Sequence, residues 1–267
     1  KISNKCKNDL KIPDVRLSRP KNLIIYDNYK KKIYYIENIY ADNKIKNYYE
    51  KYESIKNKFK SYQHFENIKL PIKFNFNKNK NRIKSNISKN SFKKNIIKAK
   101  KHIAKGDVFQ VVLSQRFERK INKSPLEIYN YLRISNPSPF MFYFNYDDFK
   151  ILGSSPEILV RLRNNEVTIR PIAGTRPRGN NKTQDIKYEK ELLKDKKELA
   201  EHLMLLDLGR NDVGKVSKIN SVKVTESFNV EKYSHVMHIV SNVVGKFDKK
   251  NSLFETLLSG FPAGTVS

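Results

Sequence analysis

The sequence predicts an α+β chain built on large, mainly antiparallel sheets with helices outside them. Three observations carry that expectation. Apolar and polar residues alternate in short runs from Leu23–Tyr40 onward, the period-two pattern of half-buried strands. The pairs Asp27-Asn28 and Asn164-Asn165 interrupt such runs, which points to hairpins. The helical stretches are few and lie between groups of strands instead of alternating with them one for one.

The elements follow in order. Leu23–Tyr40 reads as a hairpin and Asn43–Tyr62 as a charged helix. Phe74–Asn90, rich in Asn and Lys, reads as a linker and sets the expected boundary between a partial N-terminal region, 1–85, and a catalytic domain, 86–267. Ser91 is placed to cap a helix ending at Gly106. Val108–Phe117 reads as a buried strand. Ser124-Pro125 opens a short helix to Ile134. Phe140–Tyr146 and Phe149–Leu152 read as paired strands, and Glu157–Arg163 and Glu166–Pro171 as a second hairpin. Gly174–Lys182 carries turn residues and positive charge. Helices are expected over Ile186–Leu193 and Lys196–Asp212, the second with Asp195 and Glu198 as a capping box. Ser221–Val230 and His235–Val244 read as strands, and Ser252–Leu258 as a closing helix.

Composition narrows the function classes. At 267 residues and 38% hydrophobic, the chain has length for one large domain or one and a half. It has no run of about 18 apolar residues, so no membrane span is expected, and its start lacks the apolar core of a signal peptide. Cys6 is the only cysteine. It makes no internal disulfide, which fits a reducing, cytoplasmic setting, and it excludes a cysteine-based zinc site. The net charge is +27, a value that often marks nucleic-acid binding. Here the lysines are spread among Asn, Ile and Tyr along the whole chain, and no groove-reading motif accompanies them. Compositional drift is the reading preferred over a nucleic-acid surface.

Three segments carry chemistry. In Pro171-Ile-Ala-Gly-Thr-Arg-Pro-Arg-Gly179, Gly174 lets backbone approach a ligand, Thr175 adds a hydroxyl, and Arg176 and Arg178 add fixed charge. This suits a small carboxylate, and equally suits a basic surface turn. Glu198 and Glu201 stand three apart in an expected helix, so they share a face beside an apolar stripe of Leu199, Leu203 and Leu206. Paired carboxylates suit Mg²⁺; more often such a pair is a solvated face bridged to Lys194 or Lys197. In Tyr233-Ser-His-Val-Met-His238, a strand would send His235 and His238 to opposite faces. One of them at most would act as an acid or base, and both also read as ordinary histidines at a sheet edge. There is no Walker loop, dinucleotide fingerprint or nucleophile elbow.

In this order, these segments resemble the chorismate-binding enzymes. The resemblance runs from Gly106-Asp-Val-Phe-Gln-Val-Val-Leu-Ser-Gln115 through Asn136-Pro-Ser-Pro-Phe-Met-Phe-Tyr143, Gly153-Ser-Ser-Pro-Glu157, Pro171–Gly179, Ala200–Asp212 and Tyr233–His238 to Phe261-Pro-Ala-Gly-Thr-Val-Ser267. It implies an α/β sandwich of two large sheets, here truncated at both ends, that binds Mg²⁺ and chorismate. It implies Glu201 as a magnesium ligand with Glu198 as acidic partner, Gly174 and Thr175 as chorismate contacts, and His238 as the active-site histidine, with Thr175 beside it in catalysis.

Within the family, Ala173 points to the anthranilate synthase branch, because aminodeoxychorismate synthases resemble this sequence but usually carry a nucleophilic lysine there. That branch implies a glutamine amidotransferase partner subunit supplying ammonia. It also implies tryptophan as a feedback inhibitor bound at Pro139, Phe140 and Met141. The chain alone is then expected to be inactive, because the family supplies further metal and substrate residues from a segment past Ser267. The competing readings are an aminodeoxychorismate or isochorismate synthase, a nucleic-acid-binding protein, and a non-catalytic homologue.

Overall fold

The computed structural model describes residues 8–13, 15–39, 48–62 and 83–262. The chain divides into two units, Lys1–Phe74 and Asn75–Ser267.

In the first unit, β1 (Asn22–Asp27) and β2 (Lys32–Glu37) form the expected antiparallel hairpin. Asp27 shapes its turn by accepting the backbone N–H groups of Tyr29 and Lys30, both at 2.9 Å, as short acidic side chains do. Helix α1 (Tyr48–Tyr62) follows. Its Lys51 donates to Glu37 and its Lys58 lies 3.6 Å from the same carboxylate. The hydrogen bond from Lys51 leads in lowering the Glu37 pKa.

The second unit opens with β3 (Lys84–Ser85) and α2 (Lys89–Ala104). The cap of α2 is Ser88, not Ser91; Ser91 instead donates its N–H to the Ser88 hydroxyl at 3.2 Å. Gly106, at φ +78, lies just past the helix end. The expected strand Val108–Phe117 shrinks to β4 (Phe117–Glu118), paired with β3 alone. Phe109, Val111 and Val112 are exposed among the described residues. An apolar run becomes a strand only where a partner edge meets it, and here the ladder is two residues long.

Helix α3 (Pro125–Ser135) starts at a full capping box between Ser124 and Glu127. It packs on the hairpin of β5 (Phe140–Asn145) and β6 (Lys150–Ser155).

The centre of this unit is a five-stranded antiparallel sheet. Strand β7 (Arg161–Arg163) turns through Asn164 and Asn165, both at positive φ, into β8 (Glu166–Ile169), as a primed hairpin turn requires. After Arg170-Pro171 the chain resumes as β9 (Ile172–Pro177). Two helices follow, α4 (Lys182–Leu192) and α5 (Lys196–Lys215). Strands β10 (Lys223–Lys232) and β11 (Val236–Lys246) complete the sheet, and α6 (Leu253–Ser259) closes the described chain. β11 is central. It pairs with β10 along one edge and with β8 and β9, end to end, along the other. The Pro171 carbonyl bridges the break by accepting the Ser241 N–H at 3.1 Å.

Helix α5 covers one face of this sheet. Its buried residues are His202, Leu205, Leu206, Gly209, Asp212 and Val213, spaced as one helical face. Leu203 falls off that face and is exposed, so the expected stripe of Leu199, Leu203 and Leu206 is corrected to Leu199, His202 and Leu206. A Cβ on Gly209 would sit 3.1 Å from Pro171 Cγ and 3.5 Å from Ile169 Cγ2; the missing side chain lets the helix approach the sheet closely. Val167, Ile169, Leu206, Val213, Val216, Val243 and Phe247 form the main core. Leu192, Met237 and Ile239 form a second, under α4 and the start of α5.

Candidate active site

The site is built at the lower half of β11, where β9 pairs with it. The ladder matches His238 with Thr175 and Ile239 with Ala173, leaving Gly174 as an extra residue. Gly174 sits at φ +80, in the left-handed region that glycine enters without strain. The expected turn at Gly174–Lys182 is therefore a bulged strand followed by a loop. Turn-type residues mark the bulge in the sequence, but only the pairing with β11 defines it.

The bulge aims one peptide unit in two directions. The Gly174 carbonyl lies 3.2 Å from His238 Nδ1, and the N–H of Thr175 donates to Glu198 Oε2 at 3.2 Å. The Thr175 hydroxyl lies 3.0 Å from the same His238 Nδ1. The Gly174 carbonyl only accepts, whereas the Thr175 hydroxyl donates or accepts, so a proton on Nδ1 answers the carbonyl and leaves Nε2 as the ring nitrogen for chemistry. Thr175, His238 and Glu198 are thus brought together around Gly174.

Glu198 reaches this peptide from the first turn of α5. Asp195 caps the helix by accepting the N–H groups of Lys197 and Glu198. The reciprocal half of the expected capping box is absent, because the Glu198 carboxylate is used on Thr175 and the Asp195 N–H goes to Leu192. Arg176 ties the helix start to the strand: it pairs with Asp195 at 2.7 Å, donates to the Thr175 carbonyl at 2.9 Å, and stands 3.8 Å from Glu198 Oε1. Its hydrogen bond leads in holding the Asp195 carboxyl below its ordinary value. Glu201, three residues along α5, accepts from Gln110 at 3.2 Å.

Around His238 the surroundings are fixed. The Tyr233 ring lies 5.5 Å from the imidazole, tilted by 59°. Its hydroxyl donates to Glu231 at 2.7 Å, and Glu231 pairs with Arg170. Burial, then the bond to Glu231, pushes the Tyr233 phenol up to about 12. His235 precedes β11 and lies 3.2 Å from the Ser135 carbonyl, away from Thr175. Pro139 directly precedes β5, and Phe140 and Met141 open it, opposite Ser155 and Ser154 of β6 in the ladder. No hydrogen bond or ion pair among the described residues joins those three to Thr175, His238, Glu198 or Glu201.

Sequence reasoning left out Glu157 as a site residue. Although the residue is exposed along much of its length, desolvation of its carboxyl raises the pKa, and it lines a cavity of about 220 Å³ with Arg170, Pro171, Leu205, Asp212 and Gly260. Such a perturbed acid beside a cavity is a functional signal. Glu157 stands in the Gly153–Glu157 segment of the resemblance, but nothing local marks its carboxyl as desolvated, because the cavity it lines is built by segments distant in sequence.

A sequence model of the chorismate binding enzymes matches residues 2–267. The chain belongs to the chorismate-binding enzyme family. Anthranilate synthase component 1 of Acetivibrio thermocellus is 42% identical to this family member over 270 residues, 100% of this chain and 55% of that protein. The component 1 of Cereibacter sphaeroides is 57% identical over 185 residues, 69% of this chain and 37% of that one. The crystal structure of anthranilate synthase component I from Streptococcus pneumoniae TIGR4 superposes with a TM-score of 0.77 at 34% identity, covering 92% of this chain and 54% of that one. A putative 2,3-dihydroxybenzoate-specific isochorismate synthase from Bacillus anthracis shares the fold, at a TM-score of 0.60 and 22% identity. The chain spans about half the length of the curated relatives it matches. Its α+β fold is that of the chorismate-binding enzymes.

The donor chemistry at Glu198 and Glu201 fits a hard cation such as Mg²⁺, which takes carboxylate oxygens and keeps several waters. Two carboxylates are a partial set, and among the described residues no three metal-binding side chains converge. In the family member described here, Arg176 and the Thr175 N–H share Glu198 with any such ion.

Proposed function

We propose that this chain is the chorismate-handling part of the catalytic subunit of anthranilate synthase. The whole enzyme converts chorismate and ammonia to anthranilate, pyruvate and water, at the head of tryptophan synthesis. The observation that carries this is the Gly174–Thr175 peptide, which joins an imidazole to a carboxylate on the neighbouring helix. The relatives, each an anthranilate synthase component 1, support this reaction.

In this reading His238 is the acid. As the imidazolium, with Nδ1–H turned to Gly174 and Thr175, it gives its Nε2 proton to the departing ring hydroxyl, which leaves as water, and becomes the neutral imidazole. Thr175 orients the ring and contacts substrate together with Gly174. Glu201 and Glu198 would hold Mg²⁺, whose chemistry when bound is to fix a substrate carboxylate and draw charge from it. Ala173 is buried and carries no amine, so ammonia itself adds to the ring, and loss of pyruvate leaves the aromatic product. This is the ground for preferring anthranilate synthase to an aminodeoxychorismate synthase. Ammonia comes from a glutamine amidotransferase subunit, in keeping with the "component 1" of the relatives' names. Pro139, Phe140 and Met141 form part of a tryptophan site, and the enzyme works in the cytoplasm; no helix of the described residues is long and apolar enough to cross a membrane.

The test is anthranilate fluorescence from chorismate and ammonium with magnesium. It is run on the chain alone and on the chain joined to the complementary half of the Acetivibrio thermocellus relative. Activity is expected only in the joined form. Formation of aminodeoxychorismate or isochorismate in place of anthranilate would overturn the proposal.

A further inference from the structure

Tyr233, Glu231 and Arg170 stand beside His238 and have no part in the proposed chemistry. Their placement follows from the sheet. His238 lies opposite Thr175 of β9 on one side and opposite Glu231 of β10 on the other, so these side chains form one row on one face. Tyr233 comes two residues after Glu231, and the pleat returns it to that face. Its ring meets the imidazole at 5.5 Å between centroids, tilted by 59°, within the range of a favourable ring pair.

Both the backbone and the ring of Tyr233 are tied down. Its N–H donates to the Val236 carbonyl at 2.8 Å, which closes the turn between β10 and β11. Its carbonyl accepts from Arg178 at 2.7 Å, and Arg178 is itself paired with Asp185. The phenol donates to Glu231 Oε2 at 2.7 Å, and the other carboxylate oxygen, Oε1, accepts from Arg170. Arg170 also lies 4.0 Å from Glu226. Glu231 thus has a partner on each oxygen, and its carboxylate is engaged away from the imidazole opposite. The imidazole needs such a setting. The χ2 torsion of a histidine is broad, so a half-buried ring swings off its acceptor unless a neighbour closes the other side.

We propose that Tyr233 is a positioning residue: anchored through Glu231 to Arg170, its ring walls one side of the His238 imidazole and keeps Nδ1 on the Gly174–Thr175 peptide, leaving Nε2 for proton transfer. Gly174 and Thr175 give Nδ1 its partners, and the tyrosine ring closes off the alternative orientation. Arg170 also lines the cavity beside Glu157, so the row of contacts runs from that cavity to the imidazole. The part of this inference that concerns turnover rests on the reading of the chain as an anthranilate synthase segment. The part that concerns ring orientation does not.

The experiment uses the chain with ¹⁵N-labelled histidine at about pH 8, above the ordinary imidazole range. Long-range proton–nitrogen spectra of the unmodified protein are expected to show His238 as one tautomer, with its proton on Nδ1. In Tyr233→Leu both ring nitrogens are expected to move to the averaged shifts of a free histidine. Tyr233→Phe keeps the ring and loses the anchor, and moves part of the way. Glu231→Ala leaves the ring and the imidazole untouched and is expected to match it. In the joined, active form Tyr233→Leu is expected to lower kcat about tenfold and Tyr233→Phe about threefold, with KM for chorismate little changed. Averaged shifts in the unmodified protein, or a leucine variant with the parent's shifts and kcat, overturn the proposal. Parent-like shifts in both Tyr233→Phe and Glu231→Ala remove the anchor and overturn it too. Thermal unfolding checks that each variant is folded; if Tyr233→Leu is not, the other two decide. If the unmodified joined form makes no anthranilate, the functional reading fails while the nitrogen shifts still decide this one.

Discussion

Replacing Gly174 by alanine isolates the bulge as a source of both stability and geometry. At φ +80 an L residue enters the left-handed region, at a cost of roughly 1–2 kcal/mol. The new Cβ would stand 3.1 Å from Ile239 Cδ1 and 3.4 Å from Glu198 Oε2. Ile239 is fully buried, and pushing its side chain off a rotamer costs roughly 0.5–1.5 kcal/mol. A total of about 2 kcal/mol lowers the melting temperature by roughly 4–8 °C in a domain of this size. Gly214→Ala is the matched control. That glycine lies in α5 with only Val222 Cγ2 near its would-be Cβ, at 4.0 Å. Alanine there stabilises a helix by roughly 0.5–1 kcal/mol, a rise of roughly 1–4 °C. Thermal unfolding followed by circular dichroism reads both. If Gly174→Ala melted within about 1 °C of the unmodified protein, the left-handed bulge and the site geometry built on it would be refuted.

Other outcomes follow from the same packing. Leu206→Ala is expected to cost about 2–5 kcal/mol in urea unfolding, whereas Leu203→Gln, one turn off the buried face, changes stability by less than about 0.5 kcal/mol. Arg178 and the Gly179 N–H hold the Asp185 carboxyl down at about 2, with the Arg178 hydrogen bond leading. That contribution is complete above the ordinary carboxylate range and is lost as pH falls toward about 2. Asp185→Asn should flatten the acid limb of the urea midpoint, and an unchanged limb would contradict the assignment. Local desolvation shifts the carboxyl of Glu157, an exposed residue, the other way, so its ionisation costs stability as pH rises above the ordinary carboxylate range. Glu157→Gln is therefore expected to be more stable than the parent at pH 7 but not at pH 4, read by the same unfolding assay.

Local chemistry in the sequence translated well where the answer was local. Ser124 and Glu127 close the α3 start, Asp195 caps α5, and Asn164-Asn165 makes the β7–β8 turn. Each depends on residues within a turn of one another. What pairing decides was hidden. Gly174 reads as a turn until β11 is laid beside it, and Val108–Phe117 reads as a strand although only its end finds a partner. Leu203 belongs to an apolar run, yet the helix rotation set by Gly209 against Pro171 turns it outward. The candidate site divides in the same way. Thr175, His238 and Glu198 could be named from their motifs, but the peptide that joins them and the cavity that Glu157 lines emerge only once distant segments meet.

The link between the imidazole and the glutamate is made of main chain. Side-chain replacement at Thr175 by any residue but proline therefore leaves it in place, since the N–H is kept and the carbonyl belongs to Gly174. Only a change in where that amide points would sever it, through the torsion angles of Gly174. Scans of folding stability across the motif should consequently find Thr175 more forgiving than the glycine before it. An ester replacing the Gly174–Thr175 amide would remove the donor to Glu198 while leaving every side chain in place.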